Sequence, residues 1–150
     1  MKKRCHRRPT FALPPPGLRP KLRPQDLTKI GLMHVETLDA IARGEATQEQ
    51  LLDWCENVFT WTFVAQLLGK GELEMQGQTE LATRLIDRWA RTGAVRFSGA
   101  DYQMAKWGVA IMDQLAAETD TATAARAAIW STECLGRSPA PLPDPPLGAA

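Results

Sequence analysis

The chain has 150 residues with 18 basic and 17 acidic side chains, a length that fits one domain and a formal charge of only +1. That balance hides a segregation: residues 1–30 hold nine Lys and Arg against the single acid Asp26, a net +8, leaving nine bases and sixteen acids, a net −7, for residues 31–150. Prolines divide as sharply, six at 9–24 and five at 139–146 with none at 25–138, and no run of about 18 apolar residues exists, so a fibrous chain, a disulfide scaffold and a membrane span are excluded.

In chain order, residues 1–25 read as an extended, basic, Pro-rich arm, with PPP at 14–16 favouring polyproline conformation. The start MKKRCHRRP resembles the basic end of a signal peptide, but FALPPPGLRP follows instead of an apolar stretch, so no secretion signal is expected. Asp26 is the expected cap of a first helix running to about Arg43, with Gly44 as its left-handed stop. Its apolar stripe is Leu27, Ile30, His34, Leu38 and Ile41.

Thr47 and Gln50 form a capping box for a second helix to about Leu68, closed by Gly69. Leu51, Trp54, Cys55, Val58, Trp61, Ala65 and Leu68 line one side of it, flanked by Leu52, Phe59 and Phe63. An apolar arc of more than half the circumference predicts a central helix touching at least two neighbours. A third helix covers about 72–92, burying Leu81, Leu85 and Trp89 with Ile86 at the edge, and ends at Gly93. AVRF at 94–97 is the one strand-like stretch, too short to build a sheet. Ser98 and Asp101 resemble a second capping box, opening a fourth helix to about Ala117 that presents Met104, Gly108, Ile111 and Leu115. Thr119 or Asp120 opens an Ala-rich fifth helix stopped by Gly136 and Pro139. The expected fold class is all-α: a compact bundle of about five helices at 26–138, between the arm and a Pro-rich tail at 139–150.

Enzyme signatures are scarce. Gly69-Lys70-Gly71 lacks the G-x-x-x-x-G-K-[ST] phosphate loop, and G-x-S-x-G is absent. His34-Val35-Glu36 matches half of a zinc-deaminase signature, but no P-C-x-x-C follows. Two histidines and three dispersed cysteines (Cys5, Cys55, Cys134) do not make a metal site, and the odd cysteine count suits reduced thiols in a cytoplasm. The expectation is a non-catalytic chain without metal or cofactor.

His34, at the centre of an apolar stripe, is either a core histidine with both nitrogens satisfied or part of a pocket or proton-linked switch. Arg84, Arg88 and Arg91 share a narrow face of the third helix. Glu80–Arg84 and Asp87–Arg91 are expected as i,i+4 pairs, which leaves Arg88 to join Arg96 at a phosphate. Of the five tryptophans, most suit core packing, and Trp107, near the edge of its helix's apolar face, is the candidate partner anchor. The basic arm carries the strongest functional signal. Lys2, Lys3, Arg4, Arg7, Arg8, Arg19, Lys21 and Arg23, with Arg88 and Arg96, are the candidate nucleic-acid-binding residues, because clustered bases neutralise phosphates without reading sequence. The competing reading is an arm that folds back on the acidic body.

From Lys29 to Leu68 the text KIGLMHVETLDAIARGEATQEQLLDWCENVFTWTFVAQLL resembles a group of small helical proteins carried by prophages and other mobile elements of proteobacteria. His34, Gly44, Ala46 and Thr47 match that pattern, Met33 stands where the group has Asn, and the group shares a basic N-terminus. The resemblance implies an accessory protein in the cytoplasm of a bacterial host and carries over no site residue. Two functions are expected in turn. The first is binding of nucleic acid or a nucleoprotein through the arm. The alternative is inhibition of a host enzyme or defence complex through the acidic helical surface. The broad apolar second helix and the scattered tryptophans also permit a homodimer.

Overall fold

A computed structural model describes residues 19–136, so the expected arm residues before 19 and the tail from 139 lie outside the described residues. The five helices are α1 (Pro24–Arg43), α2 (Gln48–Leu68), α3 (Glu72–Thr92), α4 (Gly99–Glu118) and α5 (Thr121–Cys134). Among the described residues there is no strand, and no helix is long and apolar enough to cross a membrane.

Local chemistry sets the ends. Thr47 Oγ1 accepts the Gln50 N–H at 3.2 Å while the Thr47 N–H donates to Gln50 Oε1 at 2.9 Å, a reciprocal box that satisfies two orphan donors. At α4 half of the box forms. Ser98 Oγ accepts the Asp101 N–H at 3.1 Å, but the Asp101 carboxylate accepts from Arg84 at 3.2 Å instead of turning back. Asp120 caps α5, its carboxylate accepting from the Thr123 N–H at 2.8 Å and the Thr123 hydroxyl at 2.7 Å.

The start of α1 differs from expectation. The helix begins at Pro24 with Arg23 in the cap position, and Asp26 lies inside the first turn. Proline at the first helical position needs no N–H partner and arrives with its φ preset, so it opens the helix ahead of the aspartate. Asp26 instead accepts from Arg23 Nε at 2.8 Å, where its charge also suits the helix's positive end. Residues just before the helix, assigned by composition to the arm, lie against α5. Pro20 O accepts the Thr121 N–H at 2.9 Å, Lys21 and Asp120 form an isolated antiparallel bridge, and Leu22 packs on the core. Arg19 lies 3.9 Å from Asp120, both side chains largely covered.

Helix α2 lies at the centre, packed by α1, α3, α4 and α5, while α4 also bridges α1 and α3. Leu51, Trp54, Cys55, Val58, Trp61 and Ala65 are all buried, as its arc predicts. Toward α5 the contacts are small. Ala127 is buried, Thr60 and Ser131 share a hydroxyl hydrogen bond of 2.6 Å, and Thr132 donates to Glu56 at 2.6 Å. The AVRF segment is an unpaired extended connector whose alternation sends Val95 and Phe97 into the core and Arg96 out, with the Phe97 ring edge-on to Trp54.

The face of α4 is rotated from the expected one. Ala105, Gly108, Met112, Leu115 and Ala116 are buried, whereas Met104 is exposed and Ile111 half-buried. Gln78 of α3 explains it: the side chain is buried, donates from Nε2 to Met104 O at 2.9 Å, and lies flat on Gly108. A Cβ at Gly108 would sit 2.2 Å from Gln78 Cδ, so only glycine admits this approach.

Gly108→Ala should therefore destabilise the fold by about 1–3 kcal/mol in urea unfolding, because the buried Gln78 side chain would have to move off residue 108 and give up its bond to Met104 O. Gly108→Ala combined with Gln78→Ala should recover part of that loss, giving a favourable coupling between the two sites.

Candidate functional site

Three arginines converge where α1 and α3 end. Gly44 stops α1 at φ +72°, and the connector from Gly93 to Ser98 carries Arg96 back across it. Arg96 Nε donates to Ala42 O at 3.1 Å, one of the carbonyls left open at the end of α1. The Arg96 Cδ lies 3.4 Å from where a Cβ on residue 44 would be, ordinary contact, so it is the left-handed turn rather than space for the arginine that calls for glycine. Arg88 Nη1 in turn donates to Arg96 O at 2.9 Å. With Arg43 these residues line a shallow concavity of about 410 Å³. Arg43 is held by Asp39 and by Glu45, the latter at 2.8 Å, and these carboxylates raise its already high pKa, the Glu45 hydrogen bond first.

The structure thus brings Arg88 and Arg96 side by side and adds Arg43, which the sequence expectation did not include. That expectation also misreads the neighbouring pairs. Arg84 reaches Asp101 on α4, and Arg91 Nε bonds the Asp87 carbonyl oxygen at 3.3 Å, not its carboxylate. The reason is that Asp101, held by Ser98 at the head of α4, offers Arg84 a largely covered carboxylate across the helix interface. Chemically, two guanidiniums that each spend one N–H on a backbone carbonyl keep further donors in a planar fork, the geometry that grips phosphate oxygens.

Of the arm residues, Arg19, Lys21 and Arg23 are described. All three lie at the other end of α1, Arg19 beside Asp120 and Arg23 on Asp26. Twenty helical residues separate them from the arginine concavity, on the order of 30 Å. Lys2, Lys3, Arg4, Arg7 and Arg8 lie outside the described residues.

His34 is enclosed between α1 and α4. Its Nδ1 lies 3.4 Å from Asp113 Oδ1, a carboxylate half open to solvent, and its Nε2 is buried with no protein partner. Burial pushes the imidazole pKa below its usual 6.5, partly offset by the nearby Asp113 charge. The neutral ring is thus the favoured form in the folded chain.

Trp107 is 52% exposed on α4, next to Met104 and to Leu73 of α3, which is 81% exposed. Together they rim a small groove of about 220 Å³ beside Gly77 and Gln78. The core reading holds at Trp54 and Trp61, but Trp89, expected to be buried, is only half-buried against the core, and Trp130 stacks on Phe63 at 4.9 Å near the surface. Cys55 is buried and its thiol pushed up to about 12 by desolvation, which makes it inert, while Cys134 is exposed. Among the described residues no group of His, Cys, Asp and Glu could hold a metal ion.

The sequence reading missed a groove of about 620 Å³ over α2 between α1 and α5. Asp53 and Glu56 of α2 give it an acidic lining, and Ala124, Ala125 and Ala128 form a small-residue wall. The signal was present in the alanines of α5, which keep that helix too slim to close against α1. No protein-family model, no curated protein and no solved structure matches the chain.

The depressed pKa of His34 makes a testable link to stability. Between the folded pKa and the unfolded value near 6.5, the unfolded chain binds more protons, so stability rises with pH and falls on acidification below about 6.5. Urea midpoints measured from pH 8 to 5 should fall in that window, and His34→Leu should lose that part of the slope. Asp113→Asn, which removes the charge that favours the imidazolium, should extend the fall to lower pH.

Proposed function

We propose that the chain is a non-catalytic accessory protein of a phage or mobile element, binding nucleic acid or a nucleoprotein in the cytoplasm of a bacterial host. The observation that carries the reading is the convergence of Arg88 and Arg96 with Arg43 on one concavity. It adds a second basic element to the five Lys and Arg at residues 2–8. The described bases Arg19, Lys21 and Arg23 and the concavity lie toward opposite ends of α1, a separation that suits a polymer with repeating charge better than a small anion. The resemblance over residues 29–68 supplies the phage setting. Phosphates are gripped by the free forks of Arg88 and Arg96 and by the arm, without reading base sequence.

Fluorescence anisotropy with a labelled DNA duplex over a salt series tests this. Arg88→Gln with Arg96→Gln should weaken binding at low salt and make the slope of log K against log salt shallower by about 2, near one unit per lost phosphate contact. An unchanged slope would remove the concavity from the interface, and absence of binding by the intact chain would remove the reading.

A second reading, a protein–protein inhibitor of a host enzyme or defence complex, is favoured by the exposed Trp107, Met104 and Leu73 together with the acidic body. Trp107→Ser should leave stability within about 0.5 kcal/mol, since the side chain is half open, yet abolish capture of a partner from nuclease-treated host lysate. Capture that persists in this variant would turn the reading away from that patch.

A further inference from the structure

We propose that the groove between α1 and α5 is the docking site of the chain's own N-terminal segment, residues 1–18. The inference goes beyond nucleic-acid binding and stands on the groove itself.

Where the chain enters decides the occupant. Pro20 is hydrogen-bonded to Thr121 at the first turn of α5, Arg19 lies beside Asp120, and Leu22 already lines the groove. Residues 1–18 are therefore delivered at its mouth. Charge points the same way. The groove presents Asp53 and Glu56, and residues 1–18 hold five Lys and Arg with no acid. Glu56 accepts from Thr132 at 2.6 Å, a bond that fixes its carboxylate at the wall without removing its charge. The apolar groups of the segment, Phe11 and Leu13 among its prolines, match the alanine wall and the Trp61 ring. Length is ample. From Thr121 to Thr132 α5 rises about 16 Å, which roughly five extended residues span. Tethering raises the effective concentration to about the millimolar range, so modest contacts suffice. The C-terminal segment 137–150 is the poorer fit. It leaves from the other end of α5 and offers one base, Arg137, against one acid, Asp144.

Docking places the five bases of the segment against the acidic body, so a nucleic acid has to displace Asp53 and Glu56 to reach them. The segregated charge is then an intramolecular counterion pair.

Cys5 gives a direct test in the full chain. With Cys134→Ser and the inert Cys55 left in place, a nitroxide on Cys5 reports proximity by broadening nearby amide signals. Signals of Asn57, Ala125 and Ala128 should lose most of their intensity, while Gly93 and Trp107 keep theirs. Asp53→Asn with Glu56→Gln, or wild type in 0.5 M salt (about a 4–5 Å screening length), should restore the groove signals. Uniform broadening, or groove broadening untouched by both the variant and salt, would overturn the proposal. So would broadening found only when labelled and isotope-enriched chains are mixed, which would give the groove to a second copy. Groove broadening from a nitroxide at Ala149→Cys in a Cys5→Ser, Cys134→Ser chain, with none from Cys5, would give it to the tail. No nucleic acid is present, so the outcome is independent of whether the chain binds one. If it does bind, the charge variant should bind the DNA duplex several-fold more tightly, because the competitor is gone.

Discussion

Helix α2 is apolar over more than half of its circumference, and a helix of that kind is stable in water only when neighbours surround it. Everything else in the bundle follows from how that surface is shared. Large side chains from α3 and α4 cover one part, with Leu81, Leu85, Met75 and Met112 fully buried. The aliphatic stripe of α1 covers another, interrupted by His34. What remains is covered by α5 with alanine, threonine and serine, which brings the helix axis close but leaves it narrow. The open groove over α2 is the geometric remainder of that choice.

Helix boundaries were legible because each is written in a few adjacent residues. Thr47 with Gln50, Ser98 with Asp101, and the positive-φ glycines 44, 69 and 93 are local devices whose energetics do not depend on the fold. The first helix start was misplaced by three residues, Asp26 for Arg23 as the cap, because Pro24 and Asp26 both signal an N-terminus and proline acts first. Less legible were features that require knowing which helix lies opposite. Gln78 reads as a polar surface residue until Gly108 is placed across from it, and that pair turns α4 so that Met112 is buried and Met104 is not. Arg84 has an acid four residues earlier in its own helix, yet the carboxylate of Asp101 on α4 takes it. Of the candidate site, the juxtaposition of Arg88 and Arg96 was readable from the short connector between them. The participation of Arg43 was not, because it depends on α1 ending beside α3.

The buried and half-buried polar groups divide into those that fasten helices and those left with an unmet hydrogen bond. Hydroxyl pairs such as Thr60–Ser131 and Thr62–Thr79 join α2 to α5 and to α3 with both partners satisfied. His34 is different: it sits at a seam between α1 and α4 with one nitrogen on a half-exposed carboxylate and the other without a protein partner. At this imidazole, burial and the neighbouring Asp113 charge act in opposite directions on protonation, and burial prevails.

The small side chains of α5 also set the order in which the bundle comes apart. A helix held by alanine methyls, hydroxyl pairs and one surface ring stack, Trp130 on Phe63, gives up less buried apolar surface on leaving than one held by several enclosed leucines, at about 0.8 kcal/mol per methylene. Its N-terminus is clipped by Pro20 and Arg19, so the residues that begin the described chain hold down the helix that ends it. In hydrogen-exchange terms, α5 and residues 19–22 are therefore expected to open together, ahead of the α1–α4 body. Pulling on the N-terminal segment is therefore mechanically equivalent to loosening the C-terminal helix.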